Sequence, residues 1–293
     1  MNGIINLLKP PGMTSHDVVA VIRRLTNVKR TGHTGTLDPG AAGVLPICVG
    51  QATRVAEYVL AMDKSYRAEL TLGSATDTED GSGKIVAERA VPAMTVVHIQ
   101  TVLTQFLGKR MQTPPMYSAV RIDGEKLYER ARRGETVERP ARPIDIYQIE
   151  LIRIGENTIL FDVTCSRGTY IRTLCCEIAQ ALGTVGHMSY LIRTHVGPFQ
   201  LEDALSLEEC ASRQAAGELE NAMLSVDAAL INLPMLSVSA EDAVRVINGI
   251  AVPLPTIVAE GTLVRVYGPK QEFLAVSLVE QGRVQPRKVF HSR

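Results

Sequence analysis

The sequence predicts an α+β protein, with a mixed, mostly antiparallel sheet flanked by helices and a small β-rich unit at the C-terminal end. Strand-period and helix-period segments alternate, but several strands are close enough neighbours for hairpins rather than for regular crossover units. Beyond residue 235 the pattern changes to one short helix and closely spaced short strands. The chain has 293 residues, more than one average domain and room for one large unit plus a small one.

The elements follow in order. Residues 3–8 form a short apolar strand that Pro10-Pro11-Gly12 stops. Ser15 is the expected cap of a helix whose apolar face is Val18, Val21, Ile22 and Leu25, at i, i+3, i+4 and i+7. Residues 31–43, with four glycines and a proline before the next strand, read as loop, and 43–49 as a buried strand. Ala52, Val55, Ala56, Val59 and Leu60 make one helix face. Residues 64–73 then alternate, with Tyr66, Ala68, Leu70 and Leu72 on one side, as a half-buried strand does. An acidic, Gly-bearing turn spans 76–83, and a helix over 95–107 carries Ile99, Leu103, Phe106 and Leu107. Residues 108–142, broken by Pro114-Pro115, Gly124, Gly134 and Pro140, read as a basic excursion with a short helix near 126–133. Strands over 144–154 and 158–165, a helix over 170–182 and a strand near 191–195 complete the larger unit. An acidic stretch with two short helices leads to a helix over 241–248 and strands near 263–266, 273–279 and 284–290. The expected units are therefore 1–235 and 236–293, the second too small to be stable without leaning on the first.

Apolar residues are 45% of the chain and charged residues 21%, which excludes a disordered chain. No apolar run reaches membrane-span length and no basic leader precedes an apolar core, so a soluble, cytosolic protein is expected. Cys48, Cys165, Cys175, Cys176 and Cys210 form no C-x-x-C pair and are expected to be buried thiols rather than a disulfide framework or zinc site. Lys plus Arg equals Asp plus Glu at 31 each, yet the charge is segregated. Residues 1–54, 105–142 and 261–293 are each net +4, from six basic against two acidic, nine against five, and six against two. Residues 200–260, with two basic and ten acidic, are net −8. Such segregation allows a phosphate-tracking face and equally a solvated surface.

The stretch Gly32-His33-Thr34-Gly35-Thr36-Leu37-Asp38-Pro39-Gly40 is the most informative. So many glycines in one loop point to backbone passing close to something. Pro39 biases Asp38 towards an extended conformation, which would hold one carboxylate stiffly; the plainer reading is an Asp-Pro turn capping its own loop. The phosphate-loop, dinucleotide-fold, nucleophile-elbow and zincin patterns are absent.

Lys9-Pro10-Pro11-Gly12-Met13-Thr14-Ser15, the Gly32–Pro39 string, Lys64-Ser65-Tyr66-Arg67-Ala68, Thr76-Asp77-Thr78 and Ser166-Arg167-Gly168-Thr169-Tyr170-Ile171-Arg172 occur in this order. Together they resemble the motifs of the TruB family, the bacterial tRNA pseudouridine-55 synthases. The resemblance covers residues 3–200; residues 236–293 resemble the family's PUA-like RNA-binding domain much less tightly. It implies a pseudouridine-synthase-type sheet and isomerisation of uridine 55 in the TψC loop of tRNA, with no cofactor and no metal. In that reaction the C1′–N1 bond breaks, the uracil turns, and C5 bonds to C1′.

The resemblance also implies roles. Asp38 is the catalytic carboxylate, and Arg172 the cation that keeps it ionised and oriented in a dry site. Tyr66 stacks on the uracil and assists at C5, unless it is only a buried strand tyrosine. The nucleotide must leave its stack to be reached. His33 is then expected to occupy the vacated position, and Tyr170 and Leu191 to wall the pocket, roles compatible with core packing. The basic excursion 108–142 is expected to grip the T-arm stem-loop by phosphate contacts and shape. No protein partner and no membrane is implied, and the chain is expected to act as a monomer. Two other readings remain: a non-catalytic tRNA-binding or folding-assistance protein, and an RNA-guided synthase subunit.

Overall fold

The computed structural model describes residues 1–290, so Arg293, counted above in the basic C-terminal segment, lies outside the described residues. The first strand, β1 (Gly3–Lys9), is followed by helix α1 (Ser15–Thr26), then β2 (Thr31–His33) and β3 (Ala42–Val49). A 3₁₀ turn over Gly50–Val55 runs into the short helix α2 (Ala56–Ala61), and β4 (Lys64–Leu72) follows. The hairpin β5 (Ser74–Thr76) and β6 (Ile85–Glu88) precedes α3 (Val96–Thr104) and β7 (Gly108–Gln112). A small hairpin, β8 (Arg121–Ile122) and β9 (Glu125–Lys126), abuts α4 (Leu127–Arg132). Long strands β10 (Arg142–Ile154) and β11 (Thr158–Cys165), helix α5 (Ile171–Ala181), β12 (Gly186–Val196), β13 (Phe199–Gln200) and α6 (Leu207–Ala215) follow. The chain then forms β14 (Met235–Ser237), α7 (Ala240–Ile247), β15 (Val252–Pro253), β16 (Leu263–Tyr267), β17 (Phe273–Glu280) and β18 (Arg283–Val289).

Nine strands build the main sheet, in the order β1-β3-β12-β4-β11-β10-β7, with β2 added to β3 and β13 to β12. Only β3 and β12 run parallel within it; every other pair is antiparallel. The mixed, mostly antiparallel α+β sheet is therefore as the pattern predicts. A second sheet orders β14-β16-β17-β18-β15.

Period-2 alternation explains which strands read as continuously apolar. In β1 and β3, Ile5, Leu7, Leu45 and Ile47 pack under α1, whereas Ile4, Val44 and Cys48 pack on the opposite face with Ala52, Val55 and Val59. Both faces are covered, so no polar face is needed. In β4, Tyr66, Ala68, Leu70 and Leu72 face α3 and α5, and the intervening residues face outward.

Several elements differ from expectation. The cap of α1 is Thr14, not Ser15: Thr14 Oγ1 accepts from Asp17 N–H, and Thr14 N–H donates to the Asp17 carboxylate at 2.9 Å. Ser15 turns inward instead and exchanges two hydrogen bonds with the Leu37 backbone. The loop 31–43 begins with a strand, because Thr31–His33 finds the open edge of β3. The helix expected over 52–60 is half 3₁₀, and Leu60 is exposed. The excursion is shorter than 108–142: residues 108–112 pair with β10 as an edge strand, which leaves 113–141 outside the sheet. Strand β12 starts five residues earlier than the sequence suggests, since Gly186–Met188 continue the pairing with β4.

All five cysteines are free; four are buried and Cys176 is half-buried. No helix among the described residues is long and apolar enough to cross a membrane. The second sheet does not stand apart. Val276 and Phe290 share a cluster with Val55, Val59, Ala229 and Leu230, Arg54 stacks on Phe290, and Lys288 Nζ donates to the Arg54 carbonyl at 2.6 Å.

Candidate active site

Asp38 sits in a loop pinned on several sides. Ala41 N–H donates to the Asp38 carbonyl at 3.1 Å, closing an Asp-Pro turn. The Asp-Pro turn is thus closed by the Asp38 backbone, and the carboxylate makes no hydrogen bond to its own loop among the described residues. Gly12 N–H donates to the Pro39 carbonyl at 2.8 Å, and Ser15 holds Leu37. The Lys9 ammonium, fully buried, donates to the carbonyls of Pro10, Pro39 and Ala41 at 2.9, 3.2 and 2.7 Å. Burial pushes its pKa down to about 8, with the Asp38 charge opposing.

Arg172 enters from the first turn of α5. Gln112 of β7 latches the preceding residue twice, donating to the Tyr170 carbonyl at 3.1 Å and accepting from its N–H at 2.8 Å. The Arg172 guanidinium, 5% exposed, meets Asp38 Oδ2 through Nε at 3.0 Å. Nη1 donates to the Thr78 carbonyl at 2.9 Å and approaches Asp80 Oδ2 at 3.8 Å, and Nη2 donates to the Tyr117 carbonyl at 2.8 Å. One side chain therefore ties together the Asp38 loop, the acidic turn and the excursion. Glu79 takes a left-handed φ of 64° and accepts from Thr173 Oγ1 at 2.6 Å, which turns Thr78 and Asp80 towards Arg172.

These groups line a cavity of about 710 Å³, of a size to hold a nucleoside. Asp38, Tyr66, Tyr170, Arg172 and Leu191 all line it, with Lys64, Asp80, Tyr117, Ser118, Tyr128, Arg132, Arg167 and Arg193. Burial raises the Asp38 pKa, and the Arg172 charge opposes that rise. Tyr66 is buried, which pushes its pKa up to about 12 against the lowering effect of Arg193. A neutral phenol under the cavity floor follows, able to donate and to stack but not to act as a phenolate near neutrality.

His33 does not join this group. It lies outside the cavity wall, edge-on to His16 with ring centroids 5.7 Å apart, and burial lowers its pKa. The sequence reading also overlooked residues. Lys9 and Lys64 stand in the motifs quoted above without a role, and Asp80 was one acid among several in a turn. Arg193 is 1% exposed; its Nε donates to the Val44 carbonyl at 2.7 Å and its Nη2 to the Gly35 carbonyl at 3.1 Å. A lone arginine among the apolar residues of a strand was the available signal.

The mixed, mostly antiparallel nine-stranded sheet is that of the pseudouridine-synthase class of fold. A solved H/ACA RNP bound to a substrate RNA containing 2'-deoxyuridine superposes with a TM-score of 0.78 at 28% identity, covering 99% of this chain and 86% of that one. A Cbf5-Nop10-Gar1 complex gives 0.79 at 31% identity over 99% and 85%. Within that class, the chain belongs to the TruB family of pseudouridylate synthases. The family's N-terminal domain model matches residues 23–171, and the C-terminal domain model of tRNA pseudouridylate synthase B matches 172–231. The tRNA pseudouridine synthase B of Alkaliphilus oremlandii is 50% identical over 85% of this chain and 82% of its own length. That of Geobacillus thermodenitrificans is 45% identical over 99% of this chain and 100% of its own. The two family models meet inside α5, whose next strand is central to the same sheet, so their boundary is not a structural one.

Proposed function

We propose that this chain isomerises uridine 55 in the TψC loop of tRNA to pseudouridine, with Asp38 as the reacting carboxylate. The observation that carries this is the 3.0 Å contact between Arg172 Nε and Asp38 Oδ2 inside a nucleoside-sized cavity. A carboxylate deprived of water takes up a proton unless a cation sits beside it. Arg172 supplies that cation and uses its other nitrogens on backbone carbonyls, so the guanidinium is oriented before substrate arrives.

The target atoms C1′ and C5 become reachable once the uridine leaves the loop's stack, at a cost of a few kcal/mol. Tyr66 would lie under the uracil, with Tyr170 and Leu191 beside it. Attack of Asp38 at C1′, attack at C6, and proton abstraction leading to a glycal all begin from the ionised carboxylate. In each the C1′–N1 bond is exchanged for C1′–C5, the C5 proton leaves and N1 gains one, so the product is an isomer. Residues 1–235 would carry the chemistry and 236–293 would add PUA-like RNA contact. His33, held outside the cavity, stands where a residue replacing the extruded base would stand only if the helical stack reaches the His16–His33 pair.

The chain is expected to work alone, as a monomer, on bare T-arm RNA. The test is release of tritium from C5 of uracil in a T-arm hairpin. The purified chain should release it without added RNA or protein, and Asp38→Asn should lower the rate by about 10⁴-fold or more while the hairpin still binds. Near-normal release by Asp38→Asn would remove the carboxylate mechanism. Release that needs an added guide RNA would favour the guided reading, and binding with no release by the wild-type chain the folding-assistance reading.

A further inference from the structure

Five cations line the cavity against two acids, Asp38 and Asp80, giving a local excess of three positive charges in a chain that is neutral overall. They divide into two kinds. Lys64 is committed to the carbonyls of Leu60 and Met62, Arg193 to those of Val44 and Gly35, and Arg172 to Asp38, Thr78 and Tyr117. Arg132 and Arg167 have no carboxylate or carbonyl partner among the described residues, and both are exposed at the cavity wall.

For Arg132 this stands out against its surroundings. Residues 113–141 hold six cations. Arg121 donates to the Gly124 carbonyl, Lys126 to Tyr128 Oη, and Arg139 to the Pro114 carbonyl. Arg130 pairs with Asp123 and Glu125, and Arg133 with Glu125 and Glu135. Arg132 instead lies over the Tyr128 ring at 5.4 Å, on a ring that also lines the cavity. A ring contact orients a guanidinium without using its N–H donors. Arg167 comes from a different element, the turn between β11 and α5, and that turn is fixed to β10: Asp145 N–H donates to Ser166 Oγ and Ser166 N–H to the Asp145 carbonyl, both at 2.8 Å.

We propose that Arg132 and Arg167 form a two-sided clamp for the phosphodiesters flanking the reacting nucleotide, one arginine to each side. Both are positioning residues rather than catalytic ones. The proposal rests on the RNA-isomerase reading of the same cavity and adds which backbone groups the cavity wall recognises. An extruded nucleotide carries its two phosphates to the cavity mouth, where two donor-rich guanidiniums, without a carboxylate or carbonyl partner among the described residues, match them in charge and geometry.

The experiment measures kcat/KM for C5 tritium release from three T-arm hairpins: the natural one, and two with a single neutral methylphosphonate immediately 5′ or 3′ of the reacting uridine. Arg132→Ala and Arg167→Ala should each lower kcat/KM on the natural hairpin about tenfold, chiefly through KM. Each should also flatten the dependence of log affinity on log salt by about one contact. In the wild type each neutral linkage should cost a similar factor, and the variant lacking the matching arginine should lose little more. Arg132→Lys and Arg167→Lys, which keep the charge, should recover part of the loss. Losses that add fully at both linkages, or variants with unchanged KM and salt slope, would overturn the clamp. If the wild-type chain releases no label from any hairpin, the isomerase reading fails; if it does and neutral linkages have no effect, only the clamp fails.

Discussion

Asp38 is held between opposing influences, and their balance sets how the site responds to pH. Burial raises its pKa, Arg172 lowers it, and Asp80 raises it in turn. On the proposed mechanism the ionised form is required, so activity is lost as pH falls through this raised value, and the acid limb lies above that of an ordinary carboxylate. Removing the Asp80 charge removes one raising influence. Asp80→Asn should therefore move the acid limb of kcat/KM to lower pH, and Arg172→Met should move it higher along with a large loss of rate. An acid limb that stays in place in Asp80→Asn would show that the Asp80 charge is not felt at Asp38. Asp38 and Arg172 are marked in the sequence only by the resemblance of their motifs: glycine density and a pre-proline aspartate leave the plain Asp-Pro turn equally open, and nothing local sets Arg172 apart from a surface charge. Arg193 and Lys9 left less: a cation buried against backbone carbonyls looks, in sequence, like any surface charge.

At the scale of elements, the joint between β3 and β12 decides where the Asp38 loop ends. It is the one parallel pairing of the main sheet, made at Ile192–Ala42 and Arg193–Gly43. Gly43 has φ +112°, and a Cβ there would lie 2.2 Å from the Arg193 carbonyl oxygen and 2.5 Å from its nitrogen. Neither atom can move without breaking the sheet. Gly43→Ala should thus destabilise the fold by about 3 kcal/mol or more, read as a lower urea midpoint, and should displace Arg193 from Gly35. A midpoint within error of wild type would contradict the close approach. Strand and helix existence was readable from periodicity, but their ends were not. Ser15 is the cap expected on paper, and only the presence of the Leu37 backbone beside it assigns the cap to Thr14. Likewise 108–112 became a strand because β10 offered an unpaired edge, a fact of partners rather than of composition.

For the whole molecule, charge segregation and packing lead to separate tests. On the proposed function, affinity for tRNA should fall steeply as salt rises, and a flat profile would refute a phosphate-tracking surface. The structure trims that expectation, since most cations of the excursion are already paired with neighbouring acids or carbonyls. The second sheet is joined through Val276 and Phe290 to the cluster around Val55 and Val59, and through the Tyr267 hydroxyl, which donates to Asp227 at 2.5 Å. Ending the chain after residue 234 would uncover that apolar cluster, at about 25 cal/mol per Å² exposed, and should lower the thermal midpoint and solubility of the remainder.

By itself the sequence determined the fold class, through periodicity, and the family, through the resemblance of its ordered motifs. Periodicity and motif spacing are local properties, written over a few to a dozen residues. What only the tertiary structure decided depends on residues far apart in the chain: that Arg172 meets Asp38, Thr78 and Tyr117 at once, that His33 stands apart from the cavity, and that two arginines at its wall have no carboxylate or carbonyl partner among the described residues. Pairing across so many residues is set by which surfaces the core brings face to face, and no short stretch of the chain displays it by itself.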